Sequence, residues 1–244
     1  MELKIVHFYP DLMNLYGSYA NVAVLKRYLE ELGNTVTVEA VVPGEAADLS
    51  GADFLFMGAG TERRQKAALA DFVRYAEAVK TLAKDGTSML FAGTAMELLG
   101  KTITAADGTV CEGIGLGSFT SVQGKQRFVE DVYGTTDLYG QPMVGFRNKS
   151  SVTTGVEHPF LKELKMGIGN EGQGSPEGYH RGTLLASQLT GPLLVKNPKL
   201  LDAVMEAIYR RHGEPLPESR PAYPDEERSY AVTTEQLRLR WDKQ

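Results

Sequence analysis

Four short apolar stretches alternate with helical segments in the first hundred residues, and this alternation most constrains the fold. "LKIVHFY" (3–9), "ADFLFMG" (52–58) and "TSMLFAG" (87–93) are apolar runs of strand length, and "TVTVEAVV" (35–42) alternates like a strand. Val22, Leu25, Leu29 and Leu32 recur at helical spacing over 20–32, a stretch that stops at Gly33, and residues 65–83 form a second amphipathic helix. Strands buried on both faces read as near-continuous apolar runs, and intervening helices supply the crossovers that parallel neighbours need. A chain built this way is α/β, with a mostly parallel central sheet flanked by helices.

The pattern changes between residues 102 and 187. Glycines become frequent, and the strand-like pieces "GSFTSVQ", "RFVEDVY", "MVGFRN" and "TLLAS" follow one another. No linker-like segment precedes them, so they are expected to extend the same sheet with antiparallel strands. A helix is expected over 198–212. Residues 1–212 then form one domain, and 213–244 a Pro-rich, charged tail, extended until a terminal helix begins near Thr234.

Composition narrows the function classes. The 244 residues are 42% hydrophobic and 23% charged, an ordinary balance for a globular chain long enough to bury a substantial core. A net charge of −5 offers no basic surface for nucleic acid or an anionic membrane. No apolar run reaches the length of a membrane span and no leader-like segment opens the chain, so a cytoplasmic location without membrane insertion is expected. The single cysteine, Cys111, excludes an intramolecular disulfide and a cysteine-based zinc site. No His, Cys, Asp or Glu residues stand at ligand spacing, so neither a metal nor another cofactor is expected.

Two strand-to-helix turns could carry chemistry. In "FLFMGAGTERRQ" (54–65), the turn Gly58, Ala59 and Gly60 is expected to point free backbone N–H groups into a crevice, able to hold an oxyanion or a phosphate. It is neither a Walker A loop nor a GxGxxG fingerprint, and a plain tight turn is the bland alternative. In "FAGTAMELLG" (91–100), a buried strand runs through Gly93, Thr94 and Ala95 into a helix, a corner of the kind that lifts a nucleophile clear of a sheet. Thr94 stands at the apex. Both turns end parallel strands on the same side of the sheet. His7 reads as a satisfied, partly buried strand residue, His158 as a loop residue, and His212 as a helix end where its charge suits the dipole. His180, in "EGYHRG", either borders a site or lies in a surface loop, and Cys111 is read as incidental.

Six motifs in order, "FYPDLMNLYGSYAN", "GAGTERRQ", "FAGTAMELLG", "DGTVCEGIGLG", "VGFRN" and "TGPLLVKNP", resemble the cobyric-acid-synthase-like class I glutamine amidotransferases over residues 3 to 212. Within that family the resemblance is to the glutaminase subunits of lipid II isoglutaminyl synthases. Those subunits release ammonia from glutamine and pass it to a Mur-ligase-like, ATP-dependent partner, which amidates the D-glutamate of the peptidoglycan stem peptide. The resemblance implies a class I amidotransferase, flavodoxin-like fold and a heterodimer with such a partner. It also implies that Gly58, Ala59 and Gly60 form the oxyanion turn, with Ala59 where glycine is usual, and that Arg127 helps to hold glutamine.

The departures fall on the chemistry. Thr94 stands where the family has its nucleophilic cysteine, and Thr190 stands where it has the general-base histidine before Gly-Pro. "GFRNKSSVT" rewrites a further pocket stretch with Arg147 and Lys149. A thiol ionises near neutral pH and attacks readily, whereas a threonine hydroxyl needs a base and is crowded at its branched carbon. Losing one member of a nucleophile–base pair costs roughly 10⁴-fold or more. The expected molecule is a non-hydrolytic subunit that binds and scaffolds its partner, with glutamine or another small ligand in the altered pocket. A hydrolase using Thr94 or His180, and a small-molecule sensor, are the alternatives.

Overall fold

Side chains alternate along the first strand, β1 (Glu2–Phe8): Leu3 and Ile5 face one side, Val6 and Phe8 the other, and all are buried. A strand apolar on both faces needs cover on both. In the computed structural model, which describes residues 1–219 and 221–242, helices supply that cover. α1 (Ala20–Glu31) packs Val22, Leu25 and Leu29 against the Leu3 face. β2 (Thr35–Val41) and β3 (Phe54–Met57) flank β1 in parallel, with Ile5 level with Val38 and Phe54. α2 (Glu62–Phe72) and α3 (Ala76–Lys84) cover the opposite face with Leu69, Phe72 and Val79, and β4 (Ser88–Ala92) lies parallel to β3. The helix expected over 65–83 is thus two helices. It starts earlier, where the Thr61 hydroxyl accepts from Arg64 N–H, and a tight turn at Val73–Tyr75 divides it. The Tyr75 hydroxyl donates to Glu45 O at 3.1 Å and ties that turn to the preceding loop.

The glycine-rich middle does more than extend this sheet. β5 (Thr102–Thr104), β6 (Val110–Glu112), β7 (Thr120–Thr135), β8 (Met143–Thr154) and β9 (Glu163–Met166) form a second sheet in the order β6-β5-β7-β8, with β9 paired to β7. Its strands alternate in burial, as β8 shows, and one-sided burial suits a sheet with one wet face. Among the described residues, only β10 (Tyr179–Arg181) adds an antiparallel strand to the first sheet. β11 (Leu184–Ser187), from "TLLAS", is buried throughout and lies parallel to β4, giving the order β10-β11-β4-β3-β1-β2.

α4 (Leu193–Lys196) and α5 (Pro198–Arg211) close the Leu3 face. The tail is not extended as far as Thr234: α6 (Pro224–Trp241) begins ten residues sooner. Its first turn carries Pro224 followed by Asp225, Glu226 and Glu227, and its last carries Arg238 and Arg240, so both ends match the helix dipole. Tyr223, just before α6, packs edge-on against Tyr28 at 4.4 Å and donates to Asp202 at 3.0 Å. Further along, Tyr230 donates to Pro142 O at 2.7 Å and Arg240 pairs with Asp131 at 2.6 Å. Among the described residues no helix is long and apolar enough to cross a membrane.

Candidate functional site

The loop after β1 and the turns after β3 and β4 meet because three glycines let them. A Cβ on Gly58 would stand 2.5 Å from Met13 O, and one on Gly60 2.5 Å from Met13 Sδ. Gly93 has φ +62°, and a Cβ there would lie 2.6 Å from the Ala59 Cβ and 3.1 Å from the Thr190 Cγ2. The corner's unusual backbone therefore falls on Gly93, where it costs little, and not on Thr94. Chain after β4 winds as a tight 3₁₀ segment, Gly93–Leu99, and Thr94 is 6% exposed.

The Thr94 hydroxyl is turned sideways onto the Gly60 backbone. Its Oγ1 accepts from Gly60 N–H at 2.9 Å and donates to Gly60 O at 3.0 Å. Ala59 N–H donates to Ser18 Oγ at 3.4 Å. The expectation of free N–H groups in this turn thus fails for both: each finds a side chain, because the Leu12–Ser18 loop and the β4 corner press on it from two sides. Thr190 lies against Gly93, and both its N–H and its hydroxyl donate to Phe146 O, at 2.8 and 3.0 Å. Among the described residues, neither threonine side chain has an imidazole or a carboxylate as a hydrogen-bond partner.

A cavity of about 310 Å³ opens beside Thr94, bordered by Gly60, Glu62, Arg127, Asn148 and Tyr16. Arg127 reaches it from a bulge in β7. Gln123 pairs with Ser151 and Phe128 with Lys149, so residues 124–127 stand opposite Ser150 alone. Its guanidinium donates to Glu62 Oε1 at 2.7 Å and to Asn148 Oδ1 at 3.0 Å. Tyr16 stands at the mouth with φ +60°, strained for a residue with a Cβ, and its ring meets Phe146 edge-on. A cationic guanidinium, a carboxylate and an amide around so small a space suit a small zwitterionic or amide-bearing ligand.

Behind the corner lies a buried polar network. Gln65 Nε2 donates to Thr94 O and to Glu97 Oε2, both at 2.8 Å, and Gln65 Oε1 accepts from Gln123 at 2.9 Å. Glu97 pairs with Lys149 at 2.6 Å and accepts from the Ser151 hydroxyl. Burial pushes the Glu97 carboxyl up, but Lys149, Ser151 and Gln65 outweigh it and hold it below the usual carboxylate range. The Arg147 guanidinium, also buried, donates to Ile168 O, Gly169 O and Ser151 O. Glu177 accepts from Gln188 N–H and the Ser187 hydroxyl, yet burial raises its pKa to about 7. Lys149 is therefore an interior charge paired with a carboxylate behind the corner, and Arg147 an interior charge held by backbone carbonyls, with Glu177 and Glu97 in its field. Glu97, Ser151 and Glu177 escaped sequence reasoning; Glu97 and Ser151 meet across a separation of 54 residues.

The histidines stand apart from Thr94. His180 lies on β10 level with Leu185, two strands from β4, and its ring bonds Gly182 O at 2.8 Å. With His158 it borders a different cavity. His212 contacts Asp53 at 2.8 Å. His7 is more deeply buried than its sequence suggests and unsatisfied: its Nε2 has no hydrogen-bond partner among the described residues, and burial lowers its pKa to about 4. Among the described residues no group of three or more His, Cys, Asp or Glu side chains is placed to hold a metal ion.

Residues 4–198 match the CobB/CobQ-like glutamine amidotransferase domain. Two relatives both bear the name lipid II isoglutaminyl synthase (glutamine-hydrolyzing) subunit GatD. The Staphylococcus aureus protein is 31% identical over 217 residues, 88% of each chain. The Streptococcus pneumoniae protein is 30% identical over 228 residues, 92% of this chain and 86% of that one. A glutamine amidotransferase of known structure from Thermotoga maritima superposes with a TM-score of 0.51, covering 97% of this chain and 95% of its own. At 12% identity that likeness speaks for the fold alone. On the domain match and the two relatives, the chain belongs to the CobB/CobQ-like glutamine amidotransferases.

Proposed function

We propose that this chain is a non-hydrolytic amidotransferase-like subunit that binds a Mur-ligase-like, ATP-dependent partner amidating the D-glutamate of lipid II. The two GatD relatives support the pathway and the existence of a partner subunit. One observation carries the loss of hydrolysis: the Thr94 hydroxyl donates a hydrogen bond to Gly60 O and accepts one from Gly60 N–H. The residue at the nucleophile's position thereby occupies the donor that an oxyanion would need, and among the described residues no imidazole or carboxylate is hydrogen-bonded to it to take its proton. The cavity beside it keeps Arg127, Glu62 and Asn148 as a binding site for glutamine or a related small ligand.

The test is the nitrogen source. The partner, co-expressed with this chain and given ATP and lipid II, is expected to amidate its substrate with ammonium chloride and not with glutamine, read by mass spectrometry. Amidation from glutamine at a rate matching ammonium would overturn the non-hydrolytic reading.

A further inference from the structure

β2 ends the first sheet, and its outer edge is free. In a parallel ladder both backbone groups of one residue face a neighbouring strand, and those of the next residue face away from it. Thr35 N–H donates to Met1 O and Val41 O accepts from Tyr9 N–H, so Thr35, Thr37, Glu39 and Val41 bond to β1. Val36, Val38 and Ala40 therefore turn their N–H and C=O groups outward, where among the described residues nothing bonds to them. Ala40 is exposed and Val38 is 40% exposed, so no side chain or loop covers this edge. The other outer strands are short or covered. β10 and β6 have three residues each, β9 has four, and β8 meets Asn197, Thr190 and Asn170 along its outer edge. Long exposed edges are normally guarded by lysine, proline or a bulge. Residues 35–41 read Thr-Val-Thr-Val-Glu-Ala-Val and carry none of these, and their one charge, Glu39, is paired with Lys4 at 2.8 Å.

The edge complements itself. Laid antiparallel on a second copy with a two-fold axis at Val38, Val36 meets the copy's Ala40, Val38 meets its Val38, and Ala40 meets its Val36. All three pairs join outward-facing residues, and each exchanges two N–H···O bonds, so this register makes six. Glu39 then stands opposite Thr37, and the exposed Val38 side chains cover one another. An axis at Thr37 or at Glu39 keeps only two such pairs within Val36–Ala40, and the axis at Glu39 also sets two carboxylates face to face. We propose that β2 pairs with β2 of a second copy of this chain about an axis at Val38, continuing the first sheet through a two-fold dimer. An interface of that symmetry requires one patch to fit itself, and this edge does so in one register. β1 and β3 lie between the edge and β4, so the dimer leaves the Thr94 cavity open to other molecules. The inference stands apart from the proposed function.

Sedimentation equilibrium and amide hydrogen exchange on the full chain test it together. The mass is expected to rise from one chain to two with concentration, while the Val36, Val38 and Ala40 amides pass from fast to slow exchange. The Thr37 and Glu39 amides, bonded to β1, should be protected throughout. Val38→Glu sets like charges opposite one another at the axis and should weaken the dimer about tenfold or more, with the melting temperature of the dilute chain unchanged. Val38→Pro removes a donor that faces outward and leaves the β1 ladder intact, so it should weaken the dimer likewise. If both variants misfold, the concentration dependence of the wild-type amides decides. A chain that stays monomeric at every concentration, a dimer whose edge amides still exchange freely, or a dimer indifferent to Val38→Glu overturns the pairing. Protection that appears only when the ligase-like subunit is added assigns the edge to that subunit and overturns it too.

Discussion

At the scale of single residues, the Thr94 hydroxyl satisfies two otherwise buried backbone groups of Gly60. Thr94→Val keeps the shape but orphans both, and should destabilise the fold by about 1–3 kcal/mol in denaturant titrations. Thr94→Ser, which keeps the hydroxyl, should cost much less. His7 makes a separate prediction. Its pKa falls from 6.5 to about 4 on folding, so its contribution to stability is fully present above 6.5 and is lost as pH falls toward 4. Between pH 6.5 and pH 5 that loss amounts to roughly 1.5 kcal/mol. His7→Phe should remove it, flattening the pH dependence of the unfolding midpoint relative to wild type. Glu177 works in the opposite sense. Its raised pKa makes its contribution fall as pH rises from 4.5 toward 7, and only the difference between wild type and variant isolates His7.

Among the elements, legibility followed how locally each one is determined. The strands "LKIVHFY", "ADFLFMG" and "TSMLFAG" appear as β1, β3 and β4, because continuous burial writes itself into every residue. Helices α1 and α5 lie within a residue of their expected bounds for the same reason. The second sheet was not legible, since which sheet a strand joins depends on partners dozens of residues away. The Gln65–Glu97–Lys149–Ser151 network was hidden likewise: its bonds span sequence separations of 32 and 54. α6 had its signals in the open, Pro224 and three acidic residues at the start and arginines at the end, but an unremarkable apolar pattern obscured them. Its anchor is Tyr223, buried against Tyr28. Tyr223→Ala should cost about 3 kcal/mol and loosen α6, raising amide exchange along 224–241 ahead of global unfolding.

On the scale of the whole molecule, the three-layer α/β body brings the β3 and β4 turns together, and the second sheet leans Arg127 and Asn148 over them. A site assembled from so many elements should not be restored at one position. Thr94→Cys alone supplies a thiol of ordinary pKa near 8.5 with no imidazole beside it, and is expected to be inert. Thr94→Cys with Thr190→His supplies the base, yet a misplacement of about 1 Å can cost on the order of 100-fold, so that pair is expected to be feeble. The most direct test of a non-hydrolytic site is steady-state ammonia release from glutamine by the wild-type chain, alone and with the proposed ligase-like subunit. The expected result is no ammonia above the protein-free blank in either case. Sustained release, with a glutamine-mimicking electrophile attached to Thr94 in the mass spectrum, would contradict it.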